Sequence, residues 1–191
     1  MPSPIGHMIA GSIVYTMMRP SGIDGQQRQG FILAGVLLSA VVADFDFLPG
    51  MLLGTANRFH HGPSHSLGAV LLYGLLIWLL LRCCRIAFAS RLALLCASAY
   101  ASHLVLDLLA VDTSPPFGIP LFWPVTSTYY ISPVPLFTDI QRGEGEALTF
   151  IRSALNVHNL LAVTWEMVLL APLALWTHRK KGSTMLCKEA R

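Results

Sequence analysis

His103 and Asp107 stand four residues apart in HLVLD, inside the apolar run 92–111. On a helix that spacing puts an imidazole and a carboxylate on one face. They suit two ligands of one metal ion, or one ligand of each of two; the bland alternative is a His–Asp hydrogen bond that ties helices together. Asp44 and Asp46 close a second apolar run, 31–48, in ADFDFLP. In a helix they point about 200° apart, so both can face one ion only if the helix ends there, as Pro49-Gly50 allows. Between the runs lies RFHHGPSHS, with His60, His61 and His65. A charge at membrane depth costs at least about 3 kcal/mol, so a chain that keeps several there has a partner or a task for them. The natural shared partner of carboxylates and imidazoles is a metal ion.

His61 and His65 have the i, i+4 spacing of a zincin helix, but Gly62 stands where that motif keeps its general base. Pro63 fits only a first helical turn. The run therefore reads as a loop feeding a helix N-terminus, with at least two of its three histidines on metal. His7 is a further ligand candidate. His158 and Glu166 lie about 12 Å apart if both are helical, too far for one ion. Glu166 would meet the site from below or act as an acid–base group, against the alternative of a helix-packing hydrogen bond. His178, among basic residues, reads as inert.

Elements long enough to position these groups follow from the composition. The 191 residues are 54% hydrophobic and only 12% charged, about half the usual share. That balance suits a bilayer, whose core of ~30 Å needs about 20 apolar residues per helix. Runs at 31–48, 67–81 and 92–111 approach that length, and 159–176 makes another, interrupted by Glu166 and Pro172. Residues 5–18 form a shorter opening helix; with no basic region ahead of it and His7 within it, it reads as retained rather than as a signal peptide. The expected fold is an all-α, polytopic transmembrane bundle of about five helices. Its single domain spans 1–178, with a basic cytoplasmic tail at 179–191.

Arg19 and Arg28 fall between the first two spans, Arg82, Arg85 and Arg91 between the third and fourth, and Arg179, Lys180, Lys181, Lys188 and Arg191 after the fifth. Ten of the thirteen basic residues thus share one side, the cytoplasmic side by the positive-inside rule. On that threading every ligand candidate collects at the opposite, outer end. The small positive excess gives no reason to expect nucleic acid as a partner. Cys83, Cys84, Cys96 and Cys187 fall toward the cytoplasm and should be reduced. The long insert from 112 to 157 is rich in Pro, Gly and aromatic residues, as suits a lid or substrate rim. Phe150, Ile151, Ala154, Leu155 and His158 recur at helical spacing within 138–157 and add an amphipathic helix there.

With His7, ADFDF, HHGPSHS, HLVLD, Gly118 and Trp123-Pro124 in this order, the chain resembles the bacterial membrane-bound metal-dependent hydrolases, YdjM-like inner-membrane proteins of which some are under LexA control. The resemblance covers most of the chain. It implies His7, Asp44, Asp46, His60, His65, His103 and Asp107 as metal ligands, and Gly118 and Trp123 as parts of the substrate site. Ala43 replaces the Pro of that pattern, and His61 stands at its Arg position, where it would meet an anionic substrate when protonated or ligate instead. The family is distantly similar to zinc-dependent phospholipase C and P1-type nucleases, whose second HxxxE motif has no counterpart here. One or two ions are therefore expected rather than three, zinc first, with Mn or Mg as alternatives.

The expected activity is metal-dependent hydrolysis at the periplasmic face of the bacterial inner membrane, on a lipid-linked or phosphoester substrate. Asp107 would bridge two ions, and His61 and Glu166 would serve the chemistry. A metal-ion or proton carrier is the rival; it would string ligands through the full bilayer depth, and Glu166 is the one residue that favours it. A closed metal staple ranks last, because seven candidates exceed the needs of one tetrahedral site.

Overall fold

A computed structural model describes residues 1–20, 25–113 and 115–189, with side chains through Lys181. Ser3 and Pro4 start the first helix, α1 (Pro4–Met18). The Ser3 hydroxyl accepts from Gly6 N, and Pro4 occupies a first-turn position where no N–H is needed. After α2 (Gln26–Val41) the chain tightens into a 3-10 turn, Val42–Asp46, then forms the short α3 (Phe47–Leu52). Ser66 caps α4 (Leu67–Cys83) through Ala69 N. The remaining helices are α5 (Ala89–Leu108), α6 (Ala147–Ala154) and α7 (Val157–Glu189).

The architecture is the expected all-helical membrane bundle. α1, α2 and α5 pack against one another, α4 lies on α5, and α7 lies on α1. Gly11 lets α1 and α2 meet closely, since a Cβ there would fall 2.7 Å from that of Ala40. Tyr15, Val36, Ala40, Leu95 and Ala99 fill the space where these three helices meet. Three helical stretches are long and apolar enough to cross a membrane: Gln26–Leu52, Ala89–Leu108 and Val157–Lys181. Leu67–Cys83 is apolar but shorter, and α1 has 15 residues. Leu71, Leu72, Leu75, Leu76 and Leu80 of α4, with Leu160, Leu161, Val168 and Trp176 of α7, are exposed. Apolar faces this continuous fit lipid as their solvent.

Residues read from sequence as a tail, 179 onward, continue α7 as far as Glu189. The side chains of Cys187 and Lys188, the whole of Arg191, and residues 21–24 of the first connection lie outside the described residues. Cys83, Cys84 and Cys96 are free thiols.

The segment between α5 and α6 folds back over one end of the bundle. Val111 N donates to Phe137 O, and Ile119 and Tyr130 exchange backbone hydrogen bonds. Gly118 allows that second pairing: its φ is +88°, and a Cβ there would lie 2.2 Å from Tyr130 O. Leu67 N donates to Leu121 O, which ties this cover to the start of α4. The amphipathic helix expected within 138–157 is realised as α6, where Phe150 is buried and Ile151 exposed.

Candidate metal centre

Four separate elements deliver the ligand candidates to one end of the bundle. His7 comes from the first turns of α1, Asp44 and Asp46 from the 3-10 turn after α2, and His65 from the residues before α4. His103 and Asp107 come from the last turns of α5. The α-helix ends at Val41, about two turns before Pro49-Gly50, which instead fall inside α3, and the 3-10 turn between aims the two aspartates at opposite nitrogens of His65. Asp44 Oδ1 lies 3.7 Å from His65 Nε2, and Asp46 Oδ2 lies 3.2 Å from His65 Nδ1.

The inner group is His7, Asp44, His65, His103 and Asp107. His7, His65 and His103 have no exposed surface, and Asp107 is buried. His103 Nδ1 donates to the Ala40 carbonyl over 2.8 Å, which fixes its tautomer and leaves Nε2 a lone pair. That atom lies 3.1 Å from Asp107 Oδ2, 3.6 Å from Asp44 Oδ1 and 3.3 Å from His65 Nε2. The His103–Asp107 approach is within ion-pair reach but is not aligned for a hydrogen bond, so both Asp107 oxygens lack a hydrogen-bond partner among the described residues. Both Asp44 oxygens and both His7 nitrogens are in the same condition. His7 stacks on His103 at 3.7 Å and reaches Asp107 Oδ1 at 3.5 Å.

Buried polar atoms without partners cost about 1–3 kcal/mol each, and more when charged. A cation among them removes that cost. The donor atoms of His7, His103 and Asp107 lie within 4.8 Å of one another, as do those of Asp44, His65 and His103. Imidazole nitrogens and carboxylate oxygens so grouped fit a divalent ion.

The outer group is His60, His61 and His65, whose donor atoms also fall within 4.8 Å of one another. His60 Nδ1 faces Asp46 Oδ1 at 3.1 Å, and His61 Nδ1 faces Asp112 Oδ2 at 3.2 Å. In each ring Nε2 is buried without a hydrogen-bond partner among the described residues. A carboxylate on one nitrogen and a free lone pair on the other is the arrangement of a metal-ligating histidine and its orienting partner. Ser64 Oγ donates to Asp46 Oδ2 and holds that carboxylate in place. His61 occupies the left-handed region, φ 58°, a strained conformation kept at functional sites when the surroundings enforce it.

Burial would lower the pKa of His65, but the carboxylates of Asp44 and Asp46 beside its two nitrogens and the charge of Asp107 outweigh that and raise it to about 10. In the metal-free protein a proton on His65 thus compensates the surrounding acids. His60 behaves oppositely. Its burial, with His61, His65 and Arg142 nearby, holds it well below its ordinary value and keeps it neutral.

A cavity of about 400 Å³ opens above the outer group, lined by His60, His61, Asp112, Asp139, Gln141 and Arg142 among others. Of the residues read from sequence as site residues, His60 and His61 line it; the inner group does not reach it, and Glu166, Trp123 and Gly118 are engaged elsewhere. Glu166 accepts from Ser3 N at 2.7 Å and from the Ser3 hydroxyl, at the start of α1. Trp123 lines a separate apolar groove with Leu67, Gly68 and Leu71. Gly118 N donates 2.7 Å to Asp112 Oδ2, the same oxygen that faces His61. Its place is therefore behind His61, one hydrogen-bonded residue removed. Nor does His158 join either group; it meets Asp139 at 3.2 Å.

Sequence reasoning missed Asp112 and Arg142. Asp112 carried a usable signal, an acid just beyond a helix that already ends in HLVLD. Arg142 carried none. Comparison with known proteins gives a match to the model of the YdjM inner membrane protein family over residues 1–183. Neither a curated protein nor a solved structure matches the chain.

Proposed function

The chain belongs to the YdjM inner membrane protein family, and on that premise we propose that it is a membrane-embedded metal-dependent hydrolase acting at the periplasmic face. One observation carries the reading: buried imidazole and carboxylate atoms without hydrogen-bond partners among the described residues, drawn from four elements, lie at and beneath an open cavity. A structural staple would be closed over, whereas a catalytic site keeps access to substrate.

His7, Asp44, His65, His103 and Asp107 would hold one divalent cation, and His60 and His61 with Asp46 a second. Zinc is the first choice from the mixed N and O donors. When bound, such ions lower the pKa of water toward neutrality and polarise the scissile group. The protein's own part is orientation. Ala40 O fixes His103, Asp46 fixes His60 and His65, and Asp112, held by Gly118 N, fixes His61. Asp107, whose two oxygens lack hydrogen-bond partners among the described residues and face His7, His65 and His103, would be a carboxylate ligand of the inner ion. A lipid-linked substrate suits a cavity that opens at the end of the bundle where apolar helices give way to an aromatic-rich cover, and a phosphoester is suggested by the distant resemblance to phospholipase C and P1-type nucleases. The basic residues toward the opposite end, Arg82, Arg85, Arg91, Arg179, Lys180 and Lys181, would put that end in the cytoplasm by the positive-inside rule.

A metal or proton carrier is not favoured. Its best support was Glu166 part-way along α7, and that carboxylate is already bonded to Ser3. The test is elemental analysis of purified protein, coupled to turnover of phospholipid and polyprenyl-phosphate panels. Stoichiometric zinc and hydrolysis, both lost in His103→Ala, are expected; metal-free protein that retains full hydrolysis would overturn the proposal.

A further inference from the structure

Arg142 is the only Lys or Arg among the described residues lining the cavity. No carboxylate of the described residues lies within 4.0 Å of its guanidinium. Among the described residues it meets Met1 Sδ at 3.2 Å and the Phe47 ring, whose centroid is 4.7 Å from Cζ. The same ring stacks on His60 at 4.0 Å, so Phe47 anchors both the guanidinium and an outer imidazole. The acids that share the cavity are engaged elsewhere. Asp112 serves His61 and Gly118, and Asp139 serves His158 and Thr113.

A guanidinium carries five N–H donors in a planar fork. A sulfur atom and an aromatic face use little of that capacity. Burial pulls its pKa below the usual guanidinium value, opposed by the charges of Asp44, Asp107, Asp46 and Asp112. A half-buried cation with spare donors, beside imidazoles whose Nε2 atoms are unpartnered among the described residues, fits an anion placed between them.

We propose that Arg142 binds the phosphate group of the substrate, opposite His60 and His61. This rests on the hydrolase reading and names the substrate class of that site. Phosphate is preferred to carboxylate because its oxygens can meet the guanidinium fork and still leave others for a cation held by the imidazoles; a carboxylate has only two. The phosphate can belong to a lipid headgroup or to a soluble ester.

The test is phosphate binding, followed by phosphorus NMR on the full-length protein, metal-free and zinc-loaded. The variants are Arg142→Ala, Arg142→Lys and, as a control at an exposed position, Arg58→Ala. Inorganic phosphate is titrated against protein in phosphatidylcholine nanodiscs, then competed with phosphatidate added to the bilayer. Arg142→Ala should weaken phosphate binding about tenfold or more, Arg142→Lys by less, and Arg58→Ala not at all, with zinc content equal in all four proteins. Competition by phosphatidate assigns the phosphate to a lipid; inorganic phosphate alone assigns it to a soluble ester. Equal binding in Arg142→Ala and wild type, or absence of binding in wild type, overturns the proposal. So does a matching loss of zinc in Arg142→Ala and Arg142→Lys, which would make the guanidinium a counter-ion of the acidic cage. Arg142-dependent binding without cleavage of any phosphoester would refute the hydrolase reading and leave the phosphate site standing.

Discussion

Asp107 and Glu166 are both buried carboxylates on long apolar helices, and both face α1. Their surroundings differ in one respect. Glu166 accepts hydrogen bonds from Ser3 N and the Ser3 hydroxyl at the start of α1, and its charge sits near the positive end of that helix. Asp107 has imidazoles at 3.1 to 3.5 Å and no hydrogen-bond partner among the described residues on either oxygen. Burial alone therefore does not mark a working acid. A buried acid whose lone pairs are met by N–H and O–H donors is part of the scaffold. One whose lone pairs are met by other lone pairs requires a cation.

The comparison breaks most decisively at Asp107. Asp107→Ala removes the only carboxylate within 4.0 Å of all three inner histidines among the described residues. It should reduce metal affinity by more than the 10–100-fold that loss of an orienting partner costs, and abolish turnover. Metal content of the purified variant checks this. Retention of a full complement would show that the imidazoles need no bridging acid.

The orienting acids come next. Asp46→Asn loosens His60 and His65, and Asp112→Asn loosens His61; each should lower metal affinity about 10–100-fold. Competitive chelator titration measures the change. If Asp112→Asn binds metal as wild type does, His61 belongs to the substrate and not to the metal.

A third measurement sharpens the contrast through pH. His65, raised to about 10 against the cost of burial, holds a proton at neutral pH in the metal-free protein. Its folded pKa lies above the ordinary 6.5, so its contribution to metal-free stability is full below about pH 6.5 and is lost as pH rises through about 10. Metal affinity runs the other way, because the proton must leave when a ligand binds. Affinity should rise about tenfold per pH unit between 7 and 9, with about one proton released per ion. Calorimetry in buffers of different ionisation enthalpy counts that proton, and a flat profile would place His65 outside the first ion's ligands.

What was legible in the sequence follows from the range of the forces involved. HLVLD could be read because helical periodicity is local, and four residues return a side chain to the same face. The loop that feeds the N-terminus of α4 was readable for the same reason, because Pro63 restricts where a helix can begin. The 3-10 turn at Val42–Asp46 was only half visible: Pro49-Gly50 announced an end to the helix, but the turn comes earlier and splits Asp44 from Asp46 around His65. Asp112 and Arg142 sit in the cover over the bundle, whose course is set by pairings such as Ile119 with Tyr130. No periodicity marks such partners. Glu166 was misleading because its partner, Ser3, is 163 residues away, and a sequence window cannot show that the pair is satisfied.

That last pair supplies the smallest expected effect on the metal and the clearest control. Glu166→Gln keeps the side chain's volume but trades one of its two acceptor oxygens for an amide donor, which faces donors on Ser3. Two hydrogen bonds to a charged acceptor are worth about 1.5–3 kcal/mol each before rearrangement, so the variant should lose about 1–3 kcal/mol of stability, seen as a lower thermal midpoint in detergent. Its metal content and the pH dependence of metal binding should match wild type. The opposite pattern, intact stability with altered metal binding, would mean that α7 feeds the centre through Glu166 and that a hydrogen-bonded acid can also be a working one. Ser3→Ala separates the two cases further, because it deletes one of the two donors to Glu166 without changing any carboxylate or histidine.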